Sequence, residues 1–237
     1  MNPLRRRFLA GSTLLAAAPI VNSMPSSAHI QLLGDSIFDN AAYVGGQPDV
    51  IARLRSRLPA GWKAQLLAQD GATTRDITAQ LTRLAPDATH LVMSVGGNDA
   101  LMRQDLLDTP VRTSAEALDR LALAAREFEA SYRRALEACL QRRLPLVVCT
   151  IYNGNFPDAG YRQRVAFALA GFNDVIIRLA LEKRLRVLEL RQICRRPEDY
   201  ANAIEPSSLG GDNIARAIVR TLTGTDAPRR GALLLGE

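Results

Sequence analysis

The chain has 237 residues, of which 47% are hydrophobic, with 30 Lys and Arg against 24 Asp and Glu. This size and apolar content suit one α/β domain with a sizeable core and additional terminal segments. The basic residues are scattered rather than clustered, which argues against a nucleic-acid-binding face. The three cysteines do not make a disulfide framework in a chain this long.

The composition also argues against metal and cofactor chemistry. No Cys/His cluster has metal-ligand spacing. Neither a Gly-x-Gly-x-x-Gly motif nor a P-loop is present, so a nucleotide-binding fold would lack its phosphate cradle. We therefore expect no metal and no cofactor. We interpret Cys149, in an apolar strand-like run, and Cys139, in a helical pattern, as buried free thiols.

Residues 1–28 are typical of a targeting segment. Arg5-Arg6-Arg7-Phe8-Leu9 resembles the twin-arginine export motif, and residues 9–21 form a short apolar run. This run is too short to span a bilayer well, so it predicts a signal peptide, cleaved after Ala28 or Ala18, rather than a membrane helix. The expected product is periplasmic or exported, with no membrane span once the leader is removed. The alternative is that translation starts at Met24, which gives a cytoplasmic protein without a leader.

From His29 onward, strand-like and helix-like segments alternate. Short apolar runs predict strands at 30–33, 62–68, 90–94, 144–150 and 185–190. Apolar residues at helical spacing predict helices at 50–58, 76–84, from Thr113 to about 141, at 161–183 and from Ser207 or Ser208 to 222. Thr113-Ser114-Ala115-Glu116 fits a capping box at the start of the longest helix.

This alternation implies a parallel sheet covered by helices on both faces. We predict an α/β fold, a three-layer α/β/α sandwich with a flavodoxin-like, five-stranded parallel sheet. The expected domain covers residues 29–222, between the signal peptide and a flexible tail at 223–237. The sequence shows no internal repeat and no second domain.

One stretch stands out chemically, because the first strand ends in Gly34-Asp35-Ser36. A glycine at this position permits a sharp turn, which would hold Ser36 at the carboxyl end of a parallel strand. Open α/β sheets bind their ligands at that edge. The alternative is an ordinary loop in which Ser36 caps the next helix.

Two further blocks follow the next two predicted strands. Asp70-Gly71-Ala72-Thr73-Thr74 follows the second strand, and Ser94-Val95-Gly96-Gly97-Asn98-Asp99 follows the third. Together, in this order and spacing, the three blocks resemble those of the GDSL-type, or SGNH, family of serine esterases. The resemblance covers roughly residues 29–222 and implies the same three-layer fold.

The resemblance also implies a catalytic arrangement for acyl transfer. Ser36 would be the nucleophile, and the oxyanion would be held by the Ser36 and Gly71 backbone N–H groups and the Asn98 side-chain amide. These groups end neighbouring parallel strands at one edge, so they can converge. The alternative for Gly71 and Asn98 is turn chemistry alone.

The catalytic base departs from the family pattern. The family carries Asp-x-x-His before its last helix, where this chain has Asn202-Ala203-Ile204-Glu205. His29 and His90 begin strands whose other ends carry the active-site blocks, which puts them roughly 20 Å away at ~3.3 Å per residue. Glu205 then has two interpretations: a base whose pKa burial has raised, or a carboxylate that favours a helix amino terminus.

Asp35, Asp39 and Asp99 also lie near the site in sequence, and Asp39 is the next candidate base, although a turn or cap role is an alternative for it. We predict a hydrolase that cleaves a carboxylic ester, either a small molecule or a lipid or glycan ester, through an acyl-serine intermediate on Ser36. The alternative is a ligand-binding protein on the same scaffold with little or no turnover, because the usual histidine is absent.

Overall fold

The structure is a computed structural model that describes residues 26–224. The twin-arginine-like motif and the apolar run of the predicted leader lie outside the described residues, as does nearly all of the predicted tail. Ala28, the last residue of the predicted leader, is buried in the first strand and pairs in register with Trp62.

The sheet of the described domain has five parallel strands. They are β1 (Ala28–Gly34), β2 (Trp62–Leu66), β3 (His90–Ser94), β4 (Leu146–Cys149) and β5 (Arg186–Leu188). Their order across the sheet is β2-β1-β3-β4-β5, and every neighbouring pair is parallel. This is the flavodoxin-like order, so the predicted fold class is confirmed.

Seven helices, of which five overlap the predicted helices, lie within residues 26–224. They are α1 (Val50–Arg57), α2 (Ile77–Gln80), α3 (Gly97–Leu101), α4 (Ser114–Leu140), α5 (Ala159–Glu182), α6 (Leu190–Ile193) and α7 (Ser208–Thr223). Short 3-10 turns lie at Ala41–Tyr43, Thr74–Asp76, Leu81–Arg83, Gln104–Leu107 and Pro197–Asp199.

The segment predicted as a helix over 76–84 differs most from its prediction. It is a single α-helical turn between two 3-10 turns. Local side chains start this segment early, because the Asp76 carboxylate accepts a hydrogen bond from the Thr73 N–H at 2.7 Å. The Gln80 side chain then turns inward to pair with the backbone of Gly34.

The N-terminal cap of α4 agrees only in part with its prediction, whereas α7 begins with a serine cap as expected. The Thr113 hydroxyl accepts from the Glu116 N–H at 3.1 Å, but the Glu116 carboxylate accepts from the Arg112 N–H rather than from Thr113. Ser207 caps α7 by accepting from the Gly210 N–H at 3.1 Å. This cap fixes the chain direction immediately after Glu205.

Two apolar clusters fill the layers on either side of the sheet. One joins α1 and α7 to the sheet through residues such as Phe38, Leu54 and Ile214, and the other joins α4 and α5 to it through residues such as Phe128 and Ile176. In the sheet, β2 and β3 lie on opposite sides of β1. The chain connections at this point therefore diverge, and a crevice opens beyond the carboxyl ends of β1 and β3.

The structure agrees with the predicted state of Cys139 and Cys149 and shows Cys194 in the same state. Cys139, Cys149 and Cys194 are buried free thiols, and burial raises the pKa of Cys139 and of Cys194 to about 12. Among residues 26–224, no helix combines the length and the apolar composition that crossing a bilayer requires.

Candidate active site

The end of β1 is held rigidly against β3. Gly34 has a φ of 132°, and a Cβ on this residue would lie 1.7 Å from the Ser94 carbonyl oxygen, so only glycine fits. The Gln80 side chain accepts from the Gly34 N–H at 2.8 Å and donates to its carbonyl at 2.7 Å. Ser36 therefore follows a backbone whose position is fixed on both sides.

The buried Ser36 hydroxyl donates a hydrogen bond to Glu205 Oε1 at 3.0 Å, across 169 residues of sequence. Glu205 is 4% exposed. Its Oε2 is also buried and has no hydrogen-bond partner within the described part of the chain. The structure thus brings together two of the predicted site residues, a hydroxyl and a carboxylate, at hydrogen-bond distance.

Burial raises the pKa of Glu205 to about 7. The hydrogen bond from Ser36 opposes this rise by favouring the charged form, and the negative charge of Asp70 adds to it. A carboxylate with this pKa is ionised in part of the molecules at neutral pH and accepts a proton far more readily than an ordinary glutamate.

Two asparagines position the loop that carries Glu205. Asn202 Oδ1 accepts from the N–H groups of Ile204 and Glu205, both at 2.9 Å, so its side chain closes the turn. Asn40 is fully buried, and its Nδ2 donates to the Pro206 carbonyl at 2.9 Å while its Oδ1 accepts from the Val50 N–H at 3.0 Å.

Sequence reasoning missed the role of Asn40. Its position four residues after Ser36 is the available signal, but an asparagine in a loop also suits an ordinary turn. It also missed Tyr152, whose buried hydroxyl donates to the Ile204 carbonyl at 2.6 Å and supports the same loop.

Asp35 is a second buried carboxyl group beside Ser36, and it is 2% exposed. Burial raises its pKa to about 8, against the hydrogen bond of 3.1 Å that its Oδ1 accepts from the Ile37 N–H. The negative charges of Glu205 and Asp99 raise the pKa further. Asp35 therefore holds its proton at neutral pH.

Two of the expected oxyanion donors, Gly71 in the loop after β2 and Asn98 in α3, lie in segments that side chains tie together. Asn98 Nδ2 donates to the Ala72 carbonyl at 2.9 Å, and Asp99 accepts from the Thr74 N–H at 3.0 Å and from the Thr74 hydroxyl at 2.6 Å. Gly71, with a φ of 75°, is exposed at the start of that loop. Within residues 26–224, the Ser36 and Gly71 N–H groups donate to no protein acceptor.

Asp39 has a structural partner in the same region. Its Oδ2 accepts a hydrogen bond from the Asp70 N–H at 2.9 Å, which fastens the loop after β2 to the loop after β1. This bond matches the turn role considered for Asp39.

Both histidines lie at the starts of strands, at the edge of the sheet opposite Ser36. His29 Nδ1 lies 2.8 Å from an Asp87 oxygen, and His90 begins β3 and stacks on Trp62 with ring centroids 6.0 Å apart. The structure thus gives each histidine a partner away from the candidate site.

An apolar pocket opens beside Ser36. Its lining includes Asp35, Ser36, Asn98 and Glu205. The rest of the lining comes mainly from the segment from α3 to the 104–107 turn, from α4, from the loop after β4 and from α5. Most side chains in these walls are aliphatic or aromatic.

The chain matches a family model described as the GDSL-like lipase/acylhydrolase family, over residues 32–210. No curated protein matches it in sequence.

Solved structures resemble the fold. An extracellular lipase from Streptomyces rimosus has a TM-score of 0.61 at 17% identity, over 83% of this chain and 99% of that chain. The lipase Lip_vut3 from a goat rumen metagenome has a TM-score of 0.63 at 19% identity, over 82% of this chain and 97% of that chain. An acetyl xylan esterase from Geobacillus stearothermophilus has a TM-score of 0.55 at 19% identity, over 84% of this chain and 96% of that chain.

Proposed function

Because the chain belongs to the GDSL-like lipase/acylhydrolase family, we propose that it hydrolyses carboxylic esters through an acyl-enzyme formed on Ser36. The observation that carries this proposal is the hydrogen bond of 3.0 Å between the Ser36 hydroxyl and Glu205 Oε1 in a buried site. Serine needs such a partner, because its hydroxyl is a weak nucleophile until a base takes its proton.

Glu205 acts as the general base in this mechanism. Its carboxylate takes the proton of Ser36 as Oγ attacks the ester carbonyl, and passes that proton to the leaving alkoxide. In the second half of the reaction it takes a proton from water as that water attacks the acyl-enzyme, and it passes this proton to Ser36 Oγ as the acid is released. The raised pKa of Glu205, about 7, suits this work better than the ordinary value of 4.5.

Three donors stabilise the oxyanion that forms at each addition step: the Ser36 and Gly71 N–H groups and the Asn98 side chain. Asn98 uses one N–H on the Ala72 carbonyl, and the second is assigned to the oxyanion. Donors of this kind act strongly because their orientation is fixed before the charge develops.

The proposal is tested with p-nitrophenyl esters of graded acyl length, with Ser36→Ala as the control. We expect hydrolysis that is lost in Ser36→Ala and a transient acyl-enzyme detectable by mass spectrometry. Turnover that survives Ser36→Ala would contradict the nucleophile assignment. The second candidate, a binding protein, is favoured by Glu205 in place of histidine, and saturable ester binding without any turnover would support it.

We also propose that the protein is exported, on the basis of the Arg5-Arg6-Arg7-Phe8-Leu9 motif. Changing Arg5 and Arg6 to lysine should then leave the protein inside the cell. A normal product that begins at Met24 and stays in the cytoplasm would contradict this proposal.

A further inference from the structure

We propose that the apolar pocket beside Ser36 holds the acyl chain of the ester and that the substrate is a medium-chain acyl ester rather than an acetyl ester. This inference rests on the proposed function. It concerns the class of ester that the site accepts, since solved structures with this fold include both a lipase and an acetyl xylan esterase.

The chemistry of the pocket changes along its length. Its carboxyl groups, Asp35 and Glu205, lie at the end next to the nucleophile. The helical part of the wall consists of Leu121 of α4 and of Tyr161, Val165, Ala168, Leu169 and Phe172 of α5. The Tyr161 hydroxyl is the one polar side-chain group among these six, so this wall suits a hydrocarbon chain better than a sugar.

The one guanidinium in the pocket lining belongs to Arg103, which forms an ion pair with Glu127. This pairing offsets its charge, so an anionic substrate group has no strong electrostatic anchor in the described pocket. Asp35 is protonated at neutral pH because its pKa is about 8, so it adds little charge at the opposite end. An uncharged acyl chain fits this balance.

The pocket is also too long for an acetyl group alone. It runs from Ser36, which follows β1, across the ends of β3 and β4 to α5. Two strand spacings amount to ~10 Å, which is close to the length of an extended octanoyl chain. An acetyl group would leave most of the apolar wall uncovered.

The order of the two half-reactions assigns the pocket to the acyl part of the ester rather than to the alcohol. The alcohol must leave and be replaced by water, so its side of the site has to be open. The acyl group stays bound until water attacks, so it benefits from burial. Asp70 and Gly71 are exposed on the side of the site toward β2, which gives water a route that the apolar walls do not.

The expected preference follows from burial. Each methylene that the pocket removes from water raises kcat/KM about fourfold, so two buried methylenes raise it by more than ~10-fold. We therefore expect p-nitrophenyl octanoate to be hydrolysed at least ~10-fold more efficiently than the acetate, with the butyrate between them.

The test is to shorten the pocket. Ala168→Phe places a ring in the lining, whereas Ala170→Phe places the same ring on the exposed face of the same helix. We expect Ala168→Phe to lower octanoate hydrolysis at least ~10-fold and to leave acetate hydrolysis within about twofold. The Ala170→Phe variant should match the unmodified protein on all three esters.

Thermal melts show whether each variant is folded. A second pair of variants provides the same test if Ala168→Phe does not fold. Leu121→Phe narrows the pocket from α4, and Leu123→Phe is its exposed counterpart. The inference is overturned if the unmodified protein prefers acetate, or if the folded pocket variants lower all three esters equally.

Failure of the proposed function would be distinguishable from failure of this inference. If no ester is hydrolysed, calorimetric titration of methyl octanoate into Ser36→Ala still tests the pocket. Saturable binding that is lost on adding Ala168→Phe, but kept on adding Ala170→Phe, would support the acyl site without supporting ester hydrolysis. Absence of such binding would overturn it.

Discussion

The ionisation of Glu205 should control the rate of ester hydrolysis on the acid side of neutrality. Only the carboxylate accepts the proton of Ser36, so kcat/KM should follow its ionised fraction. With a pKa of about 7, that fraction is about 1% at pH 5, whereas a glutamate with the ordinary value would be about three-quarters ionised there. The rate should therefore fall roughly tenfold per pH unit below pH 6.

Glu205→Gln tests the same assignment by removing the base at nearly constant shape. A glutamine oxygen still accepts the hydrogen bond from Ser36, but it cannot hold the proton that Ser36 loses. We expect kcat to fall by about 10²- to 10⁴-fold, the usual contribution of a general base. Glu137→Gln is the matched control, because Glu137 lies exposed on α4.

The assay is p-nitrophenyl octanoate hydrolysis between pH 5 and 9, with unfolding midpoints measured in parallel to confirm that each variant is folded. An unmodified protein that keeps most of its rate at pH 5 would refute the raised pKa. A Glu205→Gln variant with nearly normal rate would refute the base assignment, and Asp39→Asn would then be the next variant to measure.

Three further predictions follow from the same geometry. Asn98→Ala should lower kcat by about 10²- to 10³-fold through loss of an oxyanion donor, with a stability loss of only ~1 kcal/mol from the bond to Ala72; a near-normal rate would leave Asn98 as a turn residue. Asp35 has a folded-state pKa of about 8 against 3.8, so the folded protein holds a proton that the unfolded chain releases, and this group's stabilising contribution is lost as pH rises between those values. Urea unfolding at pH 5 and 7 should show that Asp35→Asn removes a slope of about 1.4 kcal/mol per pH unit, and equal slopes would contradict this. The double change Asn202→Asp with Glu205→His should recover more esterase activity than Glu205→His alone, because the aspartate can orient the imidazole; equal rates at all pH values would show that position 202 does not reach the ring.

The sequence alone determined the sheet and the edge that carries the chemistry. Strand and helix patterns are local, because the apolar period along a segment depends on which of its faces is buried. The blocks at Ser36, Gly71 and Asn98 each follow a strand, so the rule that ligands bind at carboxyl ends was enough to place them at one edge. Patterns failed over 76–84, where side chains of Asp76 and Gln80 bond to backbone outside the helix.

Only the tertiary structure decided what surrounds Ser36. Glu205 reaches the hydroxyl because Asn40, 166 residues away from Pro206 in sequence, binds the carbonyl that follows Glu205. Asn202 stands where the family has an acid, but its side chain closes a backbone turn instead.

The protonation of Asp35 and Glu205 and the shape of the pocket beside Ser36 likewise depend on packing. A carboxyl group's pKa depends on the water and charge around it, and the pocket's walls come from helices distant in sequence. Burial and contacts of this kind are properties of the folded chain as a whole, which is why no local pattern in the sequence encodes them.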